Sequence, residues 1–318
     1  MTTQLSTTVG RCPVCPSGTV ALTIGSAPDF EYRTTGDVEW TIVACDRCET
    51  RLLDPCPADE MIASLYPPEY EPYRFDDLPA LIRRARDRVQ RNKVARVQSV
   101  ASHGSTILDL GCGNGNFLRL LRRFGDPSWT LIGWDFPGAH LDRLRTDGFD
   151  VIASPIEGDD DLDLRVDVII LNQVIEHFRE PQRVIGLCAQ MLEPGGRLVI
   201  ETPDVGGLDA RIFRSRYWGG YHVPRHLVLF SGPGLRELLE SRGFNIVHSA
   251  SLLSPAFWVQ SWHHWLSERV HGRRLAQFLV VRNPVALAAA VLLDVITIRF
   301  APTSNQLVIA EKTDRPVR

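Results

Sequence analysis

Four of the seven cysteines in this 318-residue chain fall in two Cys-x-x-Cys pairs, Cys12-Pro-Val-Cys15 and Cys45-Asp-Arg-Cys48. Two such pairs supply four thiolates, the ligand set of a closed tetrahedral zinc site. The interval between them is longer than in an ordinary zinc ribbon and leaves room for a hairpin extension. The Thr- and Ser-rich start lacks the basic n-region and apolar core of a secretory signal, so a cytoplasmic location is expected and metal binding is favoured over a disulfide framework. Cys56, Cys112 and Cys188 remain single thiols. A second group of reactive side chains lies in Tyr217-Trp-Gly-Gly-Tyr-His-Val-Pro-Arg-His226, where His222 and His226 could move protons near neutral pH. A third feature is Ile107-Leu-Asp-Leu-Gly-Cys-Gly-Asn-Gly-Asn116. Its glycines at 111, 113 and 115 let the backbone turn tightly and approach a ligand without Cβ interference.

The elements that must hold these groups are readable from the apolar pattern. Residues 12 to about 57 alternate short β-like runs with Pro, Gly and Cys turns, as a small zinc ribbon does. The Pro- and Tyr-rich stretch Tyr66 to Tyr73 predicts a connecting loop. We therefore divide the chain into a zinc-binding ribbon and linker, 1–76, and a larger unit, 77–318. A basic, helical stretch from Leu78 to Val100 reads as a solvated helix leading into the second unit, with an anionic lipid or nucleic-acid surface as the alternative.

After Ser105, strands and helices alternate. Strands are expected at Thr106–Leu110, Trp129–Trp134, Phe149–Ser154, Val166–Leu171, Arg197–Glu201, Phe244–Ser251 and Asn305–Glu311, and helices at Asn116–Phe124, Pro181–Leu192 and Gly234–Arg242. This order predicts an α/β fold, a Rossmann-like, doubly wound, mostly parallel seven-stranded sheet that binds ligands at the carboxyl ends of its strands. A helical insertion, about 255–303, includes Val285 to Phe300, an apolar run broken by Asp294 and Arg299. It is too short to span a bilayer and reads as a lid, a homodimer surface, a buried helix or a peripheral membrane contact.

The glycine loop is shared with dinucleotide enzymes, but its Gly-x-Gly-x-Gly spacing departs from the Gly-x-Gly-x-x-Gly fingerprint. The segment resembles motif I of the class I S-adenosylmethionine-dependent methyltransferases. That likeness continues through Leu131-Ile-Gly-Trp-Asp135, Asn172-Gln-Val-Ile-Glu-His177 and Pro194-Gly-Gly196. It implies that Asp109, Gly111, Gly113, Asn114, Gly115, Asp135, Phe136, Asn172 and Gln173 bind S-adenosylmethionine, the glycine loop holding its methionine part and Asp135 accepting both ribose hydroxyls. After the third strand this chain reads Ser154-Pro-Ile-Glu157 where the family often has an acid near the adenine amine, so the adenine contact stays open. The cysteine module ahead of such a domain resembles the sugar C-methyltransferases and related natural-product enzymes.

A sulfonium methyl is already activated, so the protein must align an acceptor and remove its proton. The loop 217–226 should lie over the strand ends, which makes His222 the leading base, with His177 and His226 behind it and Tyr217 and Tyr221 as acceptor contacts. His263 and His264 fall in the insertion and read as surface or packing residues. The expected activity is methyl transfer to an O or C atom of a small molecule, a sugar or other hydroxylated intermediate. RNA methylation guided by the zinc module is the alternative. A net charge of −3 and no RNA-module signature argue against a nucleic-acid partner.

Overall fold

A computed structural model describes residues 5–6, 10–66, 90–156, 163–269 and 272–313. The boundary near residue 76, most of the basic helix and Glu157 lie outside the described residues. The N-terminal segment forms an antiparallel sheet from β1 (Gly10–Arg11), β2 (Thr19–Ala27), β3 (Trp40–Cys45) and β4 (Arg51–Leu53). Trp40, Ile42 and Leu53 project from alternate positions into one core, each almost fully buried.

The larger sheet contains β5 (Thr106–Leu110), β6 (Thr130–Asp135), β7 (Asp150–Ala153), β8 (Val166–Asn172), β9 (Leu192–Pro203), β11 (Phe244–Leu252) and β12 (Asn305–Lys312). The intervening β10 (Val228–Leu229) belongs elsewhere: it pairs antiparallel with β4 and adds a fifth strand to the N-terminal sheet. The seven strands lie in the order β11-β12-β9-β8-β5-β6-β7, all parallel except β12, which runs antiparallel to both neighbours. β8 reads Val-Asp-Val-Ile-Ile-Leu-Asn and is buried along most of its length, as a central strand covered on both faces should be.

From β5 the chain first builds outward through β6 and β7, then crosses to β8 on the opposite side. This reversal opens a crevice at the carboxyl ends of β5 and β8. Helix α1 (residues 90–98) packs Val94 and Val97 beside the sheet. Helix α2 (Asn116–Phe124) begins directly after Gly115 and buries Phe117, Leu118 and Leu121, the one-sided spacing of an amphipathic helix. Ser231 caps helix α3 (Gly232–Ser241), its hydroxyl accepting from the Gly234 amide. Among the described residues, no helix is long and apolar enough to cross a membrane.

Candidate active site

The glycine loop leaves β5 at the sheet's reversal. Gly111 has φ of +78°, and a Cβ there would lie 2.5 Å from Val174 Cγ1. Only glycine lets this loop close against the segment after β8. At the end of β6, Asp135 accepts from the amides of Gly113 (2.6 Å) and Phe136 (2.7 Å), one on each carboxylate oxygen. A carboxylate has about four lone-pair positions, so further donors can be accommodated. Asp109 lies buried behind it. Burial, reinforced by the charge of Asp135 and partly offset by Lys93, pushes the Asp109 carboxyl up to about 7. Burial raises Asp135 as well, against the two amides that favour its ionised form.

Asn114 and Gly115 continue the same loop, with Gly115 packed against Leu144, and Phe136 follows Asp135; Asn114 Oδ1 accepts from the Asn116 amide at the start of α2. Asn172 Oδ1 accepts from Lys93 Nζ (3.0 Å), and the Gln173 side chain donates to Asn305 Oδ1 (3.0 Å). Lys93 and Arg96 turn inward from α1 to Glu201, at 3.1 and 3.4 Å. The described end of the basic helix therefore braces the strand ends.

Val174 leads from the crevice to a buried polar cluster. His177 and His226 stand edge to face with centroids 4.8 Å apart, and His222 lies 5.0 Å from His226. His177 Nδ1 is 3.0 Å from the Arg225 carbonyl and 3.1 Å from the Tyr66 hydroxyl. His226 Nδ1 is 2.9 Å from the Gly220 carbonyl. A carbonyl can only accept, so each neutral ring carries its proton on Nδ1 and keeps the lone pair on Nε2. Burial pushes His177 down to about 3, His222 adding to the effect. His226 is also driven well down, by burial and then by His177 and His222.

His222 is held differently. Its Nε2 accepts from Arg225 Nε at 3.1 Å, and its Nδ1 faces Glu31 at 3.6 Å. Both ring nitrogens are engaged, which reorders the candidate bases. Tyr221 is also corrected: it is 1% exposed, accepts from Arg51 Nη1 (3.0 Å) and donates to the Arg214 carbonyl. It locks β4 to the loop. Tyr217 donates to Glu268 (2.9 Å).

The N-terminal unit contributes residues that sequence reading overlooked. Arg225 is buried and forms a two-pronged ion pair with Asp29, at 2.7 and 3.2 Å. Burial opposes ionisation of Asp29, but Arg225 and Thr34 hold it down to about 2. Glu31 faces His222, Arg225 and His264. Burial alone would raise it, yet these neighbours keep it below its ordinary value. His264, expected to be a surface or packing residue, is buried and stacks on Phe30 at 4.4 Å.

Glu176 lies beneath the histidines, its Oε2 accepting from Thr202 Oγ1 (2.8 Å), while Oε1 has no hydrogen-bond partner among the described residues. Burial pushes its carboxyl from 4.5 up to about 8. A raised folded-state value contributes stability below about pH 4.5 that is lost as pH rises through about 8. Glu176→Gln keeps the size and the bond to Thr202 without the buried charge. Its melting temperature should therefore gain on the wild type progressively across that window. Thermal unfolding at a series of pH values checks this, and a constant offset would refute the assignment.

The cysteine pairs converge. Cys12 and Cys48 sulfurs are 3.7 Å apart, and those of Cys15 and Cys45 are 3.6 Å apart. A disulfide requires about 2.05 Å, whereas Zn–S bonds of about 2.3 Å place tetrahedral sulfurs about 3.8 Å apart. All four are buried. A Cβ on Gly18 would collide with the Cys15 and Cys45 sulfurs, so glycine permits the closure.

Residues 70–249, more than half of the chain, match the family model described as a methyltransferase domain. Over 146 residues the chain is 30% identical to a probable S-adenosylmethionine-dependent methyltransferase of Mycolicibacterium smegmatis, covering 45% of this chain and 53% of that protein. Over 115 residues it is 31% identical to a ubiquinone biosynthesis O-methyltransferase of Coxiella burnetii, covering 33% and 46%. The chain thus spans about half the length of these curated relatives. A structure of an S-adenosylmethionine-dependent methyltransferase from Archaeoglobus fulgidus aligns over 71% of this chain and 94% of that one, at 21% identity and a TM-score of 0.46. The matched region contains both the glycine loop at the reversal of the sheet and the histidine segment beyond it, and the chain belongs to the methyltransferase-domain family.

Proposed function

We propose that the protein transfers the methyl group of S-adenosylmethionine to an O or C atom of a small hydroxylated molecule, such as a sugar intermediate. The observation that carries this reading is the adjacency of two unlike sites, joined by residues 172–177. One is a crevice with buried carboxylates and a glycine loop. The other is a wall of imidazole, carboxylate and guanidinium groups suited to hydroxyls. The Coxiella relative is by name an O-methyltransferase.

The crevice fits the cofactor's chemistry. Asp135 would accept the ribose hydroxyls, Gly111 and Gly113 would admit the methionine part, and Asp109 would lie near its ammonium group. When bound, the cofactor supplies an electrophilic methyl on a sulfonium. Asp135→Ala removes charge-assisted contacts and should weaken S-adenosylmethionine binding on the order of 10²-fold. Calorimetry reads this, with no heat from NAD; unaltered affinity would place the ribose elsewhere.

His177 is the base we favour. Its Nε2 lone pair is unprotonated at working pH, and it sits three residues beyond the valine that touches the glycine loop. As an acceptor oxygen bonds to the methyl carbon, its proton becomes strongly acidic, so even a weakly basic imidazole can take it. His226 is deeper and faces Glu176, at 3.9 Å. Arg225, Asp29 and Glu31 would orient the acceptor loop.

The four cysteines, we infer, hold one structural zinc that fixes the N-terminal sheet as a wall of the acceptor site. Purified protein with methyl-labelled S-adenosylmethionine should label nucleotide sugars or other hydroxylated metabolites in a mixed panel. Label appearing only in RNA would transfer the reading to RNA methylation.

A further inference from the structure

The insertion between β11 and β12 folds as three helices: α4 (Pro255–Ser267), α5 (Arg273–Ala276) and α6 (Pro284–Thr297). The last is inside out. Its buried stripe is Ala286, Ala290, Asp294 and Thr297, where Asp294 accepts from Trp258 Nε1 (2.9 Å) and the Ser254 amide. Its outward side carries Val285 at 76% exposure and Leu292 at 60%, with Leu293, Val295 and Ile296 also exposed. A surface helix of a globular protein turns its large apolar residues inward. Phe278 and Phe300 flank this face, Phe300 at 85% exposure. Ten of the seventeen exposed large hydrophobic residues among those described fall within 275–300, a concentration that marks a binding surface.

Charge decides what covers it. Between Arg269 and Ser304 the sequence has five arginines, at 269, 273, 274, 282 and 299, and a single acid, the buried Asp294. All five arginines are exposed, in a chain whose net charge is −3. A second copy meeting this face across a two-fold axis would oppose arginine to arginine. The 14 residues of α6 reach about 21 Å, short of the ~30 Å hydrocarbon core. We propose that this face lies on an anionic lipid bilayer, its apolar side chains in the headgroup boundary and its arginines on lipid phosphates. The hairpin is braced to the candidate acceptor loop, since the Gly219 amide donates to Ser261 Oγ at 2.8 Å.

The test is flotation of the full chain with phosphatidylcholine vesicles, with and without phosphatidylglycerol. Binding should require phosphatidylglycerol and weaken with salt. Arg273→Gln with Arg274→Gln should lower partitioning on the order of 10- to 30-fold. Leu292→Ser with Ile296→Ser, both facing outward, should lower it at least ~10-fold. Unchanged S-adenosylmethionine affinity in both variants reports an intact fold. Wild-type protein that ignores anionic vesicles, or binding that neither double variant reduces, overturns the proposal. So does a dimer in sedimentation that Leu292→Ser/Ile296→Ser dissociates while vesicles go unbound. None of these outcomes depends on the acceptor or on methyl transfer.

Discussion

Cys45→Ser should release the proposed zinc and disable the proposed acceptor side while sparing the cofactor side. Structural zinc contributes about 10–16 kcal/mol in small isolated modules, more than the stability of most domains, and three thiolates do not close a tetrahedron. The damage should spread along specific contacts. The Ser231 hydroxyl that caps α3 donates to the Cys48 carbonyl. β4 carries β10 at its edge, and Arg51 reaches the Ala210 carbonyl and the Tyr221 hydroxyl. Asp29 and Glu31, which hold Arg225 and His222, belong to the same unit. The crevice at β5 and β6 shares none of these contacts. Metal analysis, melting curves and calorimetry should show no zinc, a lowered melting temperature and near-normal S-adenosylmethionine affinity, with turnover lost. Full zinc content with an unchanged melting temperature would refute the four-thiolate site.

His177→Gln should reduce turnover on the order of 10² to 10⁴-fold and leave cofactor affinity and melting temperature nearly unchanged. Gln preserves much of the size and can still donate to the Arg225 carbonyl, but it has no lone pair of comparable basicity. His222→Gln should act chiefly on the acceptor's KM, because that ring serves Arg225 and Glu31. Since His177 is held near 3, kcat/KM should show no acid limb of its making at pH 6–7, where an ordinary histidine titrates. Should His222→Gln or His226→Gln abolish turnover while His177→Gln does not, the base is that other residue. If all three retain their rates, the protein works by alignment of the acceptor alone.

What the sequence determined by itself was local. The apolar runs set the strands to within a few residues, because a buried parallel strand must be continuously apolar. The glycines at 111, 113 and 115 signalled a tight turn, and each has φ above +50°. The Cys-x-x-Cys pairs read as ligands because their spacing brings two sulfurs to one point. Tertiary structure decided everything that joins distant segments. The ion pair between Arg225 and Asp29 spans 196 positions, and no pattern at that separation marks two residues as partners. Tyr221 looked like an acceptor contact because polar aromatic residues in loops often are; in the fold its hydroxyl is a buried partner of Arg51 on β4 of the N-terminal sheet. The helix Pro284–Thr297, for which burial was one of several readings, was left open by its sequence for a related reason. An apolar run signals burial only when the fold has an interior left to receive it, and here that inner position was filled by alanines and Asp294, leaving the large side chains outside.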